Sequence, residues 1–402
     1  MSKGKEIKPH IGIYGRRNYG KSSLINVLAG FETAIVSPHA GTTTDPVKKS
    51  MEIPGIGPAI LIDTAGIDDT GELGLKRINK SYDTLKTIDI AILLISNNCI
   101  GEFEENLIAR FKEFDVPFIF LHNKSDIVAL DTKFAKSLEQ KYQTIVYEFS
   151  ALKADGNEEL LKILAQAMPE TAYTSRAMVG GLFKPGETVL LITPIDSEAP
   201  EGRMILPQVQ AIRDVLDNDG VAMLCKENEV EKLMKEVQPK PSLVITDSQV
   251  FEKVGKFIPE EIPFTSFSIL LARQRGDFEN YLKGTPCIDN LMDGDRILIL
   301  ESCTHHVSCD DIGRHKIPTW LKKYTGKELL FDVVAGLGNS PRDINDYSLV
   351  VQCGGCVITR KQVINRVRQA VLAGVPVTNY GMAIAWMHGI FHRSVSMFER
   401  VK

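Results

Sequence analysis

The chain has 402 residues, of which 44% are hydrophobic and 24% charged, and a formal net charge of −4. That length exceeds one ordinary hydrophobic core and calls for two or three domains. The near balance of charge argues against a polyanion-binding surface, so no nucleic-acid partner is expected.

The start, Met1-Ser2-Lys3-Gly4-Lys5-Glu6, lacks the apolar run of a secretion signal, and no later stretch is apolar over a bilayer's width. A cytoplasmic protein with no membrane association is expected. Seven cysteines, an odd number in a long chain, argue against a disulfide framework. Cys99, Cys225 and Cys287 stand alone and read as small buried apolar side chains.

Apolar runs alternate with helical stretches along the whole chain, which is the pattern of α/β domains with mainly parallel sheets. The first block predicts strands near 9–14, 58–63, 89–96, 116–121 and 144–149, and closes with a helix at about 157–168. Its first strand runs into Gly15-Arg16-Arg17-Asn18-Tyr19-Gly20-Lys21-Ser22 and then a helix beginning Ser22-Ser23-Leu24. Glycines at this strand–loop–helix junction let backbone N–H groups wrap phosphates, while Lys21 reaches the β- and γ-phosphates and the Ser22 hydroxyl meets Mg²⁺. Gly41-Thr42-Thr43-Thr44-Asp45 sits where a mobile switch is expected.

Asp63-Thr64-Ala65-Gly66 closes a strand, with Asp63 placed to hold Mg²⁺ through water and the Gly66 amide to sense the γ-phosphate. Asn123-Lys124-Ser125-Asp126 follows another strand. Its Asp126 carboxylate suits the two N–H donors of a guanine edge, which adenine lacks, so GTP and GDP are the expected nucleotides. At the next strand end lies Ser150-Ala151-Leu152, where a backbone amide meets the guanine O6. The expected nucleotide set is Gly15, Asn18, Tyr19, Gly20, Lys21, Ser22, Ser23, Thr43, Asp63, Gly66, Asn123, Lys124, Asp126, Ser150 and Ala151. Within it, Lys21, Asp63 and Gly66 carry hydrolysis, and Thr43 joins them through the resemblance given below. Ile67 follows the DTAG segment where a glutamine would orient water, so hydrolysis is expected to be slow.

After Gly180-Gly181 a small α/β block is predicted: strands at 187–192, 220–225 and 242–246, and helices near 207–216 and 227–237. It carries no nucleophile, glycine-rich loop or titratable cluster, so residues 179–263 read as a dimerisation domain. The G domain before it is assigned residues 1–172. The third block, 264–402, shows strands at 296–300, 329–334 and 348–351 and a helix from about Lys361 to Ala373. Cys303-Thr304-His305-His306 follows the first of these strands, and Cys353-Gly354-Gly355-Cys356 follows the third. Ligands in parallel α/β sheets gather outside the carboxyl ends of strands, so neighbouring strands would bring these thiols together. Three chemistries compete on the residues alone. Four closed ligands, with His305 or His306 as the fourth, would suit structural Zn²⁺. A redox CxxC pair would leave Cys303 and the histidines without a role. An iron–sulfur cluster with three thiolates and one weak position uses them all; Cys309 is a reserve ligand.

Two resemblances sharpen these readings. The nucleotide motifs resemble the GTPase group that includes the tRNA-modification and ribosome-assembly G proteins. That likeness implies K⁺ binding at Asn18 and Mg²⁺ ligation by Thr43, although Thr44 stands where relatives often carry arginine. The whole domain order is similar to the [FeFe]-hydrogenase maturation GTPase family. The carrying residues are Cys303-Thr304-His305-His306, Asp310-Asp311-Ile312-Gly313-Arg314, Lys316-Ile317-Pro318, Cys353-Gly354-Gly355-Cys356 and Thr378-Asn379-Tyr380-Gly381. The resemblance implies a homodimeric scaffold with a [4Fe–4S] cluster on Cys303, Cys353 and Cys356, and His305 as the motif match for a fourth ligand. It also implies a transient di-iron precursor, made by radical-SAM maturases and delivered to apo-hydrogenase. Gln352 departs from the pattern, since many relatives have histidine there. A regulatory GTPase of RNA or ribosomes with a structural metal domain is the competing reading.

Overall fold

The computed structural model describes residues 8–30, 47–68, 71–153, 156–169, 172, 177–195, 204–302, 311–356 and 358–399. The chain divides into two compact units, Met1–Thr174 and Ser175–Lys402.

The first unit runs β1 (His10–Tyr14), α1 (Lys21–Gly30), β2 (Val47–Ile53), β3 (Gly57–Asp63), α2 (Gly71–Asp83), β4 (Ile90–Ile95), α3 (Glu102–Glu113), β5 (Phe118–His122), α4 (Thr132–Tyr142), β6 (Val146–Glu148) and α5 (Asn157–Ala167). Its sheet has the order β2-β3-β1-β4-β5-β6, parallel except for β2, which pairs antiparallel with β3. Strand β4, Ile-Ala-Ile-Leu-Leu-Ile, is buried at every position, as a central parallel strand covered on both faces must be. Strand β2 escaped the sequence reading. Val-Lys-Lys-Ser-Met-Glu-Ile carries three charges in seven residues, and its edge position tolerates exposed lysines.

The second unit holds two four-stranded sheets. It runs β7 (Thr188–Ile192), α6 (Leu206–Asp217), β8 (Val221–Cys225), α7 (Val230–Glu236), β9 (Leu243–Thr246), α8 (Phe251–Gly255), β10 (Phe264–Ser266) and α9 (Phe267–Arg275). It continues with α10 (Phe278–Gly284), β11 (Arg296–Leu300), α11 (Ile317–Thr325), β12 (Leu330–Val334), β13 (Leu349–Gln352), α12 (Arg360–Leu372), β14 (Val377–Asn379), α13 (Tyr380–Met387) and α14 (Phe391–Glu399). The sheet orders are β10-β9-β7-β8 and β12-β11-β13-β14, all parallel.

Strand β10 lies beyond residue 263 yet pairs with β9, Phe264 opposite Val244, so a division between 263 and 264 cuts through a sheet. The two sheets also share one apolar core. Leu190, Ile192, Val244 and Phe264 of the first join Leu298, Leu300, Val350 and Val377 of the second. Helix α9 makes the junction: it is capped by Ser266, whose Oγ accepts from the Ile269 amide at 3.3 Å, and is buried on almost every side. Among the described residues, no helix is long and apolar enough to cross a membrane.

Candidate functional sites

In the first unit the sheet order reverses between β1 and β4, and the loop 15–20 opens at the carboxyl end of β1, the place where such sheets bind ligands. Gly20 is required there twice over. Its φ is +93°, and a Cβ would stand 2.3 Å from Asn123 Nδ2. Lys21 is buried, and its Nζ donates to the Gly15 and Arg16 carbonyls, each at 2.9 Å. Ser22 Oγ donates to Asp63 Oδ2 at 2.9 Å, while Asp63 Oδ1 is buried with no hydrogen-bond partner among the described residues. A buried carboxylate oxygen left over beside a serine hydroxyl fits Mg²⁺, which binds through hard oxygens and retained waters. Burial raises the Asp63 pKa, and the Ser22 hydrogen bond works against that rise. Ser23, at the start of α1, is exposed, as is Asn18, which holds a left-handed φ of 60°.

Asn123 braces the site from below. Its Nδ2 donates to the Tyr19 carbonyl at 2.8 Å, and its Oδ1 accepts the Ala151 amide at 3.0 Å. Phosphate loop and base-reading loop are thereby fixed to one buried side chain. Lys124 has a φ of 65°, turning the chain so that Asp126 meets Ser150, whose Oγ donates to Asp126 Oδ1 at 2.5 Å. With one oxygen held this way, the carboxylate is aimed before any base arrives. Asp126→Asn is expected to weaken guanine selectivity, because an amide offers only one acceptor to two N–H donors. Competition between GTP and xanthosine triphosphate measures this, and an unchanged preference for GTP would remove Asp126 from base reading.

Gly66 is buried against Arg17, and Ile67 is 2% exposed with its amide donating to the Gly15 carbonyl at 3.3 Å. Thr43 and the rest of the 41–45 segment lie outside the described residues.

Two contacts of the phosphate loop went unseen in the sequence. The Arg16 guanidinium makes a two-pronged ion pair with Glu104, both distances 2.7 Å, and Glu104 is fully buried at the start of α3. Glu104 Oε2 also accepts the Gly101 amide at 2.8 Å, the returning half of a capping box, since glycine has no side chain to supply the other half. The Arg17 amide donates to Asp68 Oδ1 at 2.7 Å. A Thr/Ser-x-x-Glu signature would have flagged the first; here Gly101 holds the capping position, so the side-chain signal is missing.

In the second unit β11 and β13 are neighbours, with Leu300 opposite Gln352. The order β12-β11-β13-β14 reverses between them, so Cys353 leaves the sheet at its switch point. The Cys353 amide donates to the Leu300 carbonyl at 2.9 Å. Its sulfur accepts the Ser302 amide at 3.1 Å, lies 2.9 Å from Ser302 Oγ, and receives Gln352 Nε2 at 3.6 Å. Arg366 donates to the Glu301 and Val334 carbonyls at 2.7 and 3.0 Å and approaches Ser302 Oγ at 3.5 Å. Burial lowers the Arg366 pKa, and the charge of Cys353 acts in the opposite sense.

Gly355 is in the left-handed region at φ 69°, and a Cβ would stand 2.4 Å from Val363, so the CxxC turn folds tightly over α12. Arg275, buried at the end of α9, donates to the carbonyls of Gly355 at 3.1 Å, Cys356 at 2.8 Å and Ile358 at 3.5 Å. Its other terminal nitrogen reaches Gln210 Oε1 on α6 at 3.3 Å. Donors converging on one sulfur, a flexible glycine turn and nearby guanidinium groups fit an anionic metal–thiolate centre.

Cys303, His305, His306 and Cys309 lie outside the described residues, and among the described residues no three His, Cys, Asp or Glu side chains form a metal-holding group. Cys353 and Cys356 are both partly exposed and both remain thiols, outside any disulfide. None of the three isolated cysteines is buried as expected: Cys99, in the surface loop between β4 and α3, is exposed, and Cys225 and Cys287 are partly exposed.

A family model of the hydrogen maturase F dimerization domain matches residues 178–276, and one of its tetramerization domain matches residues 279–397. A 50S ribosome-binding GTPase model matches residues 10–124. Among curated proteins, the tRNA modification GTPase MnmE of Paraburkholderia xenovorans is 36% identical over 168 residues, 40% of this chain and 36% of its own length. MnmE of Nitrosomonas europaea is 36% identical over 160 residues, 39% of this chain and 33% of its own length. The chain thus spans about a third of the length of these curated relatives. Among solved structures, Era of Aquifex aeolicus bound to GDP·AlF4⁻ has 20% identity and a TM-score of 0.35, covering 62% of this chain and 99% of its own. With a P-loop GTPase domain ahead of two self-association domains matched to that family, the chain belongs to the hydrogen maturase F (HydF) family.

Proposed function

We propose that this GTPase is a self-associating carrier. It holds a [4Fe–4S] cluster on Cys303, Cys353 and Cys356, with a labile fourth position near His305, and passes a di-iron precursor to apo-[FeFe]-hydrogenase. The single observation that carries the reading is the Cys353 sulfur at the β11/β13 switch point, with Ser302 and Gln352 turned toward it. Radical-SAM maturases supply the precursor, in the cytoplasm, and the nucleotide state alters partner association. A homodimer forms through the region matched to the dimerization model. Iron and acid-labile sulfide analysis of anaerobically purified protein, with EPR, tests the site. One cubane per chain is the expected result, and stoichiometric zinc without labile sulfide would overturn it.

The MnmE likeness favours a second reading, a regulatory GTPase of RNA. That likeness is confined to 168 residues, and the chain has 51 acidic against 47 basic residues, a poor electrostatic footprint for RNA.

Hydrolysis is expected to be slow, Mg²⁺-dependent and faster in K⁺ than in Na⁺. Ile67 is packed into the core and offers no polar group to orient the attacking water, and a cation beside Asn18 supplies the charge compensation that an arginine finger gives elsewhere. Phosphate release in matched K⁺ and Na⁺ buffers is the measurement; equal rates would strip Asn18 of that role.

A further inference from the structure

We propose that Gln352 and Ser302 act as positioning residues that tune the electron affinity of the centre held by Cys353. The inference rests on the cluster reading above. Gln352 ends β13 and is fully buried. Its amide orientation is fixed by chemistry: Nε2 lies 3.1 Å from the Cys353 carbonyl, which can only accept, so the NH₂ edge faces the cysteine. One of its hydrogens serves that carbonyl. The other is shared between Cys353 Sγ at 3.6 Å and Ser302 Oγ at 3.4 Å.

Ser302 approaches the same sulfur from the end of β11, with its amide at 3.1 Å and its hydroxyl at 2.9 Å. Two N–H donors and a hydroxyl able to donate therefore meet one sulfur. A neutral thiol is a weak acceptor and gains little from such donors, whereas a thiolate or metal-bound sulfur carries the charge that rewards them and leaves the Ser302 hydroxyl to donate. Gln352 Oε1 is buried with no partner among the described residues, so the side chain is not held in place by satisfying both ends of its amide. The carboxamide acts here through its donor edge.

Hydrogen bonds to cluster sulfurs stabilise the more negative oxidation state. In the relevant couple one electron passes from a reduced mediator dye to the oxidised cluster, adding one negative charge, with no bond formed or broken. Donors at Cys353 favour that reduced form, so removing them lowers the reduction potential without removing a ligand.

The test is an EPR-monitored redox titration of full-length reconstituted protein, dithionite against mediator dyes, with iron and sulfide quantified in each sample. Gln352→Leu is expected to keep the wild-type iron and sulfide content and to titrate at a more negative potential. Ser302→Ala, which removes the hydroxyl 2.9 Å from the sulfur, is expected to shift in the same direction, with the Ser302 amide still donating in both variants. Since Gln352 is buried and its replacement strains the strand end, Ser302→Ala provides a second, independent measurement. A potential unchanged in Ser302→Ala at full iron content would overturn the proposal while leaving the cluster intact. Wild-type protein that binds no labile sulfide would instead overturn the cluster reading itself, and this inference with it.

Discussion

Lys21→Ala is expected to reduce GTP turnover by roughly 10²–10³-fold, the scale of removing one preorganised charge stabiliser from a transferring group. The side chain already lies over the loop, its Nζ held by the Gly15 and Arg16 carbonyls, so it is delivered to the phosphates without reorganisation. The same geometry predicts only a modest fold penalty. Two loop carbonyls lose a donor but gain access to water, costing about 1 kcal/mol. Phosphate release and fluorescent-nucleotide binding, read beside thermal unfolding, separate the two effects. Wild-type turnover in the variant would remove Lys21 from the reaction.

Cys353→Ser and Cys356→Ser are each expected to abolish the cluster while GTP hydrolysis continues near the wild-type rate. A hydroxyl is a poor ligand for a soft iron–sulfur centre, and two remaining thiolates hold a cubane badly. The nucleotide residues sit in the first unit, around cores of their own. Cys303→Ser should behave alike, whereas His305→Ala should change the EPR spectrum and keep the iron. Wild-type iron and sulfide in the Cys353 variant, or full hydrogenase activation by cluster-free protein, would sever this site from the carrier role.

Much of this was legible in the sequence because it rests on local rules. The loop 15–22 and the segments 63–66, 123–126 and 150–151 each mark a strand end, and β4 and β11 are apolar enough to announce themselves. The neighbouring of β11 and β13 was required by the spacing logic, and the pairing of Leu300 with Gln352 meets that requirement. What failed was non-local. Three-residue β10 is too short to show a period, so a sheet was divided at residue 263. Long-range ion pairs such as Arg16–Glu104, separated by 88 positions, leave no trace in linear spacing. Gln352 read as a missing histidine; only its geometry shows a donor in that place.

Arg275 gives the molecule a seam that sequence boundaries do not respect. It lies within the stretch matched to the dimerization model, yet its guanidinium holds the backbone of Gly355 and Cys356, beyond that stretch, and Gln210 on α6 within it. A fragment ending at residue 276 would leave this cation facing solvent where three carbonyls had been. A fragment beginning at 279 would carry a CxxC turn stripped of its clasp. Neither piece keeps the clasped CxxC turn, which calls for the second unit, Ser175–Lys402, as a whole.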